Sequence, residues 1–116
     1  MGYVSLQNAK LDSLAAASLS VRGTSSSVTL FVNPADIFVA QIALTQVQTE
    51  VFEGRGLPPV VNAYISGITL QNGVVIDFPD TPNLIEYAWT ESVTFVLEPD
   101  EFTSASAVAT VSTYRV

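Results

Sequence analysis

The sequence predicts an all-β chain folded as a single β-sandwich, of immunoglobulin-like or jelly-roll type, with an extended N-terminal arm. Three observations predict it. Short runs rich in Val, Ile, Thr and aromatic residues recur between clusters of Gly, Pro, Asn and Asp, giving roughly seven to nine strands at the spacing of a two-layered antiparallel fold. A chain of 116 residues is long enough for one core and too short for two, so all strands share it. The first 27 residues are poor in aromatics and rich in Ala and Ser, which divides the chain into an arm with a first strand, 1–27, and a sandwich, 28–116.

Within the arm, Leu11, Leu14 and Ala15 would share one face of a helix over residues 5–16, whereas Ala17, Leu19 and Val21 alternate with Ser18, Ser20 and Arg22. The period-two pattern favours an extended arm ending in a strand. Turn residues at 22–27 lead into Val28-Thr29-Leu30-Phe31-Val32, a compact β-branched and aromatic run. Residues 33–54 can be read two ways. Asn33-Pro34 resembles a helix start and Gly54 a helix stop, but Thr45, Val47, Thr49 and Val51 alternate with Gln46, Gln48 and Glu50. One long strand or two consecutive strands is expected there, with a helix as the alternative.

Residues 53–59 carry Gly54, Gly56, Pro58 and Pro59 and form an exposed loop. A strand over 60–70, interrupted by Gly67, should turn at Asn72-Gly73 into a hairpin with residues 74–78. Pro79 and Pro82 break the sheet before strands at 84–89 and 92–97, with Trp89 and Tyr87 pointing together into the core. After a turn at Pro99-Asp100-Glu101, the last strand sets Ala105, Ala107, Ala109, Val111 and Thr113 against Ser106, Val108, Thr110, Ser112 and Tyr114. Neither face is charged, which suits the middle of a sheet or an edge covered by another subunit.

Charge narrows the function classes. Charged residues are 13% of the chain, about half the usual share, and mean hydropathy is +0.40. The surface must then consist of hydroxyl, amide and apolar groups, a composition suited to burial against neighbours. Net charge is −7, with Lys10, Arg22, Arg55 and Arg115 the only cations, so nothing forms a basic stripe for nucleic acid or anionic lipid. Asp77, Asp80, Glu86, Glu91, Glu98, Asp100 and Glu101 crowd a stretch without Lys or Arg; they suit a basic partner surface or simply a solvated face. No apolar run is long enough for a membrane span, and the N-terminal residues lack a basic segment followed by an apolar one. Neither insertion nor classical secretion is expected.

The absence of His and Cys removes Ser-His-Asp, Cys-His, disulfide and zinc chemistry. Carboxylates remain, but those around Asp77 and Asp80, Glu86 and Glu91, and Glu98 and Asp100 sit in or beside turns. They show neither the facing pair of a glycosidase nor the regular spacing of a calcium loop. No enzyme activity and no cofactor is expected. Tyr64, Tyr87, Trp89 and Tyr114 would stack on sugars only if they shared an exposed face.

A low-charge chain rich in Ala, Ser, Thr and Val, with an extended arm, one sandwich and no His or Cys, resembles the small virion proteins of tailed bacteriophages. Capsid decoration (cement) proteins and minor tail or head-completion proteins are the nearest in style; the likeness spans the chain and rests on no motif. It implies a structural protein located on the virion and stabilising the particle by protein–protein contact. It also implies a homo-oligomer, a trimer being one arrangement, bound to a major capsid or tail protein. The arm would act as a clamp and the 53–59 loop as a second contact, which singles out Leu11, Leu14, Leu19, Arg22, Arg55 and Leu57. The competing expectations are a carbohydrate-binding or host-adhesion module using Trp89, and a subunit of a tail or surface filament.

Overall fold

The computed structural model describes residues 10–32, 38–52, 56, 58–77 and 84–115. They form eight strands: β1 Lys10–Arg22, β2 Ser26–Phe31, β3 Phe38–Val51, β4 Val61–Leu70, β5 Val75–Asp77, β6 Leu84–Ala88, β7 Thr90–Pro99 and β8 Thr103–Arg115. All pairings are antiparallel and fall into two four-stranded sheets, β1-β8-β3-β6 and β2-β7-β4-β5, packed as a β-sandwich. The chain is folded back on itself at the β4–β5 hairpin, so β4 pairs with β5, β3 with β6, β2 with β7 and β1 with β8. Two further pairings, β3 with β8 and β4 with β7, complete the sheets.

The strand reading of residues 33–54 holds for the part described: β3 runs from Phe38 to Val51, while Asn33, Pro34 and Gly54 lie outside the described residues. Its period-two pattern is not one continuous face, however. Between Thr45 and Gln48 the register against β8 gains a residue, and Gln46 adopts a positive φ of 54°. This bulge exchanges the faces: Ile42 and Leu44 point into the core before it, and Val51 takes the inward register after it. A second bulge between Ile65 and Gly67 lets Ile65 and Ile68, three apart in sequence, both reach the core. Gly67 marks it, as an interior strand glycine often does.

The core is a small-against-large arrangement. β8 contributes Ala105, Ala107, Ala109 and Val111, and the opposite sheet contributes Ile65, Ile68, Leu70, Val93, Phe95 and Leu97. β8 alternates buried and half-buried residues from Thr103 to Tyr114 and is hydrogen-bonded on both sides, so the strand neutral on both faces is an interior strand. Residues 10–22 of the expected arm are the edge strand β1, paired with β8 except for a bulge at Asp12, and the 27/28 division falls within β2. Residues 1–9 lie outside the described residues.

The loops gather at two ends. At one, Gly23 N–H donates to the Thr103 carbonyl at 3.0 Å, Phe52 N–H to Phe102 at 3.0 Å and Asp100 N–H to Val60 at 3.0 Å. The turn expected at Pro99-Asp100-Glu101 is closed there by the Asp100 carboxylate, which accepts the Phe102 N–H at 2.8 Å. At the other end Gly73 N–H donates to the Leu70 carbonyl at 2.8 Å and Leu70 N–H to Val74 at 2.9 Å. Only Gly73 in this turn has positive φ, 83°, so the Asn-Gly hairpin uses a three-residue loop with a glycine bulge rather than the two-residue turn.

These features set unequal costs. Phe95, fully buried, should cost about 3–5 kcal/mol when truncated to Ala, measured by urea unfolding. Gly73→Ala meets nothing within 4 Å and carries only its φ penalty, about 1–2 kcal/mol. Gly23→Ala combines a φ of +69° with a Cβ 3.0 Å from the Glu101 carbonyl oxygen, and should be the more destabilising of the two glycine variants in the same titration.

Candidate contact surfaces

Alternation along β1, β3 and β8 decides what the β1-β8-β3-β6 sheet shows to its surroundings. The residues facing away from the core are Ala16 and Ser18 of β1, Ser106, Val108, Thr110 and Ser112 of β8, and Gln41, Ala43 and Thr45 of β3. No charge interrupts this patch; Glu86 lies at its β6 margin, accepting a hydrogen bond from Gln41 Nε2 at 3.4 Å. Toward the bulged end the strands frame a shallow recess of about 220 Å³ lined by Ser20, Gln48, Glu50, Ser104 and Ser106. A wider adjoining depression of about 490 Å³ adds Arg22 and Phe52. Both are open and rich in hydroxyl groups, unlike the apolar clefts that enclose small molecules.

The six expected contact residues separate. Leu11 and Leu14 are 60% and 61% exposed on the edge strand. Leu19 is 4% exposed and part of the core, because it shares the inward register of β1 with Val21. Arg22 is exposed and its guanidinium carbon lies 4.1 Å from the Phe52 ring centroid, a cation–π contact that ties the end of β1 to the end of β3. Arg55 and Leu57 lie outside the described residues.

The aromatic residues do not form one platform. Tyr64 lies on the outward register of β4, opposite Val96, and Tyr114 on the outward register of β8 in the other sheet. Trp89 is not a strand residue packed in the core, as the sequence led one to expect. It is half-buried at the break where the chain leaves β6 for β7 in the opposite sheet, with a φ of 57°. A bulky residue rarely adopts that conformation. Its carbonyl accepts the Gln71 N–H at 2.8 Å, and with Leu70, Gln71 and Asn72 it lines a recess of about 240 Å³. The Tyr87 side chain lies outside what is described.

Among the described residues no three Asp or Glu come together as a cation site; Phe78, Pro79 and Asp80 are outside them. Sequence reasoning passed over Phe31, which is 73% exposed at the end of edge strand β2. The signal was present: Val28, Leu30 and Val32 pack against the core, so period two sends Thr29 and Phe31 outward. Comparison with known protein families, curated proteins and solved structures finds no significant match to this chain.

The Arg22–Phe52 contact is exposed and should be modest in energy. Arg22→Ala is expected to lower stability by about 0.5–1 kcal/mol in thermal or urea unfolding, with Arg22→Lys retaining part of it.

Proposed function

We propose that this chain is a non-enzymatic structural protein of a virus particle, of the capsid-decoration type, that binds and reinforces a shell through the outer faces of a jelly-roll sandwich. The carrying observation is the charge-free outward patch on β1, β8 and β3. A face of small hydroxyl, amide and aliphatic side chains desolvates cheaply, since no ion has to lose its water, and it suits a broad, flat protein contact. The jelly-roll assignment is supported by the nested pairing of β1 with β8, β2 with β7, β3 with β6 and β4 with β5. That architecture is shared by viral capsid domains and others, so at the level of fold the support is one of analogy. The lack of His and Cys supports a role without catalysis. No helix among the described residues is long and apolar enough to cross a membrane.

In this reading the clamp is sought in residues 1–9 together with the flat face. Removing 1–22 would strip an edge strand from the sandwich, so that truncation would mix unfolding with loss of contact. Particles from a culture expressing the chain should be labelled on their surface by an antibody to the purified protein, seen by electron microscopy. Val108→Lys with Ser112→Lys should reduce co-sedimentation with those particles at least about tenfold while circular dichroism stays unchanged. Particles that carry no label, or a charged variant that binds as well as the wild type, would remove the proposal.

A further inference from the structure

Natural sheets guard their edges by keeping edge strands short or by placing charges, prolines or bulges on them. Three of the four edges here follow the rule of length: β2 has six residues, β5 three and β6 five. β1 does not. It is an edge strand of 13 residues, and the nine from Ser13 to Val21 contain neither a charge nor a proline. Its only irregularity is at one extremity, between Leu11 and Ser13. At about 3.4 Å per residue this leaves roughly 30 Å of edge, free of guards, that no strand among the described residues pairs on its outer side. Leu14 stands exposed beside it.

We propose that this edge pairs with a second copy of the chain, the two β1 strands running antiparallel with Ala17 opposite Ala17, so that two four-stranded sheets become one sheet of eight. The charge sequence of β1 selects the partner and the register. Its ionisable residues are Lys10 and Asp12 at one extremity and Arg22 at the other. Parallel pairing sets like against like. Antiparallel pairing about Ala16 leaves Val21 outside the regular ladder and carries Arg22 past the Leu11–Ser13 bulge toward Lys10. Pairing about Ala17 sets Ser13 against Val21, Leu14 against Ser20, Ala15 against Leu19 and Ala16 against Ser18, and brings the Leu11–Ser13 bulge, in which Asp12 is the extra residue, next to Arg22 on both sides of the two-fold axis. The whole uncharged run is then covered, and the small residues near the axis let the strands approach without steric conflict. Such strand addition takes its affinity from main-chain hydrogen bonds and its register from the side chains. This inference goes beyond the particle reading, because pairing is a property of the purified chain and is measured with no particle present.

Sedimentation velocity of the full chain should give twice the chain mass at high concentration. Ala16→Lys with Ser18→Lys sets lysine against lysine twice across the axis and should weaken association about tenfold or more. Ala16→Lys with Ser18→Glu sets lysine against glutamate and should restore it. Ser27→Lys, on the edge strand of the other sheet, should leave the mass unchanged. Hydrogen exchange of wild-type β1 amides should slow as concentration rises, a readout that needs no variant. A monomer or a trimer, equal masses for the two charged pairs, loss of the dimer in Ser27→Lys, or exchange independent of concentration would each overturn the proposal.

Discussion

β8 is the strand on which the sandwich depends. It is hydrogen-bonded to β1 along one side and to β3 along the other, over nearly its full length, and its inner face supplies the alanines over which the larger residues of the opposite sheet are set. Both properties come from one composition. An interior strand must satisfy backbone groups on both sides and tolerate a neighbour at each flank, which alternating Ala, Ser, Thr and Val do without steric or electrostatic conflict. The small inward residues leave room for Phe95 and its neighbours. The outward residues from Ser104 to Ser112 carry no charge, and it is on this face that the proposed contact rests.

The nested pairing makes the two ends of the described chain mutually dependent. β1 is held by the last strand in sequence, and only the β4–β5 hairpin is closed by a short turn. Contacts are therefore predominantly long-range, a topology in which folding is slow because distant segments must meet before much is gained. The turns reflect that dependence: at one end Gly23, Phe52, Val60 and Asp100, from four separate stretches, are joined by backbone hydrogen bonds to one another or to the β7–β8 turn. The β7–β8 turn, closed by Asp100, is the hub to which the other stretches are tied.

Much of this was legible in the sequence. The two layers, the hairpin at Asn72-Gly73, the turn at Asp100 and the two-faced neutrality of β8 are local signals of period and turn chemistry, which survive in any tertiary context that does not oppose them. The features that were hidden are those that change period within an element. Gln46 in a left-handed conformation has no glycine to announce it, so the exchange of faces in β3 was invisible, and Trp89 sits at a change of sheet that its run of strand-forming neighbours concealed. The burial of Leu19 was hidden for a different reason: its alternation with Ser18 and Ser20 was legible as a strand, but which side of that strand meets the core is set only by its pairing with β8.

The same pairing has a consequence during synthesis. β1 leaves the ribosome well before its partner β8, which begins some eighty residues later. At cellular elongation rates of about 5–20 residues per second, the uncharged stretch from Ser13 to Val21 waits roughly 4–16 s with no strand to receive it. A nascent chain of this kind exposes the same backbone to its polysome neighbours and to holding chaperones. The yield of native protein then depends on how that interval is managed as much as on the stability of the finished sandwich.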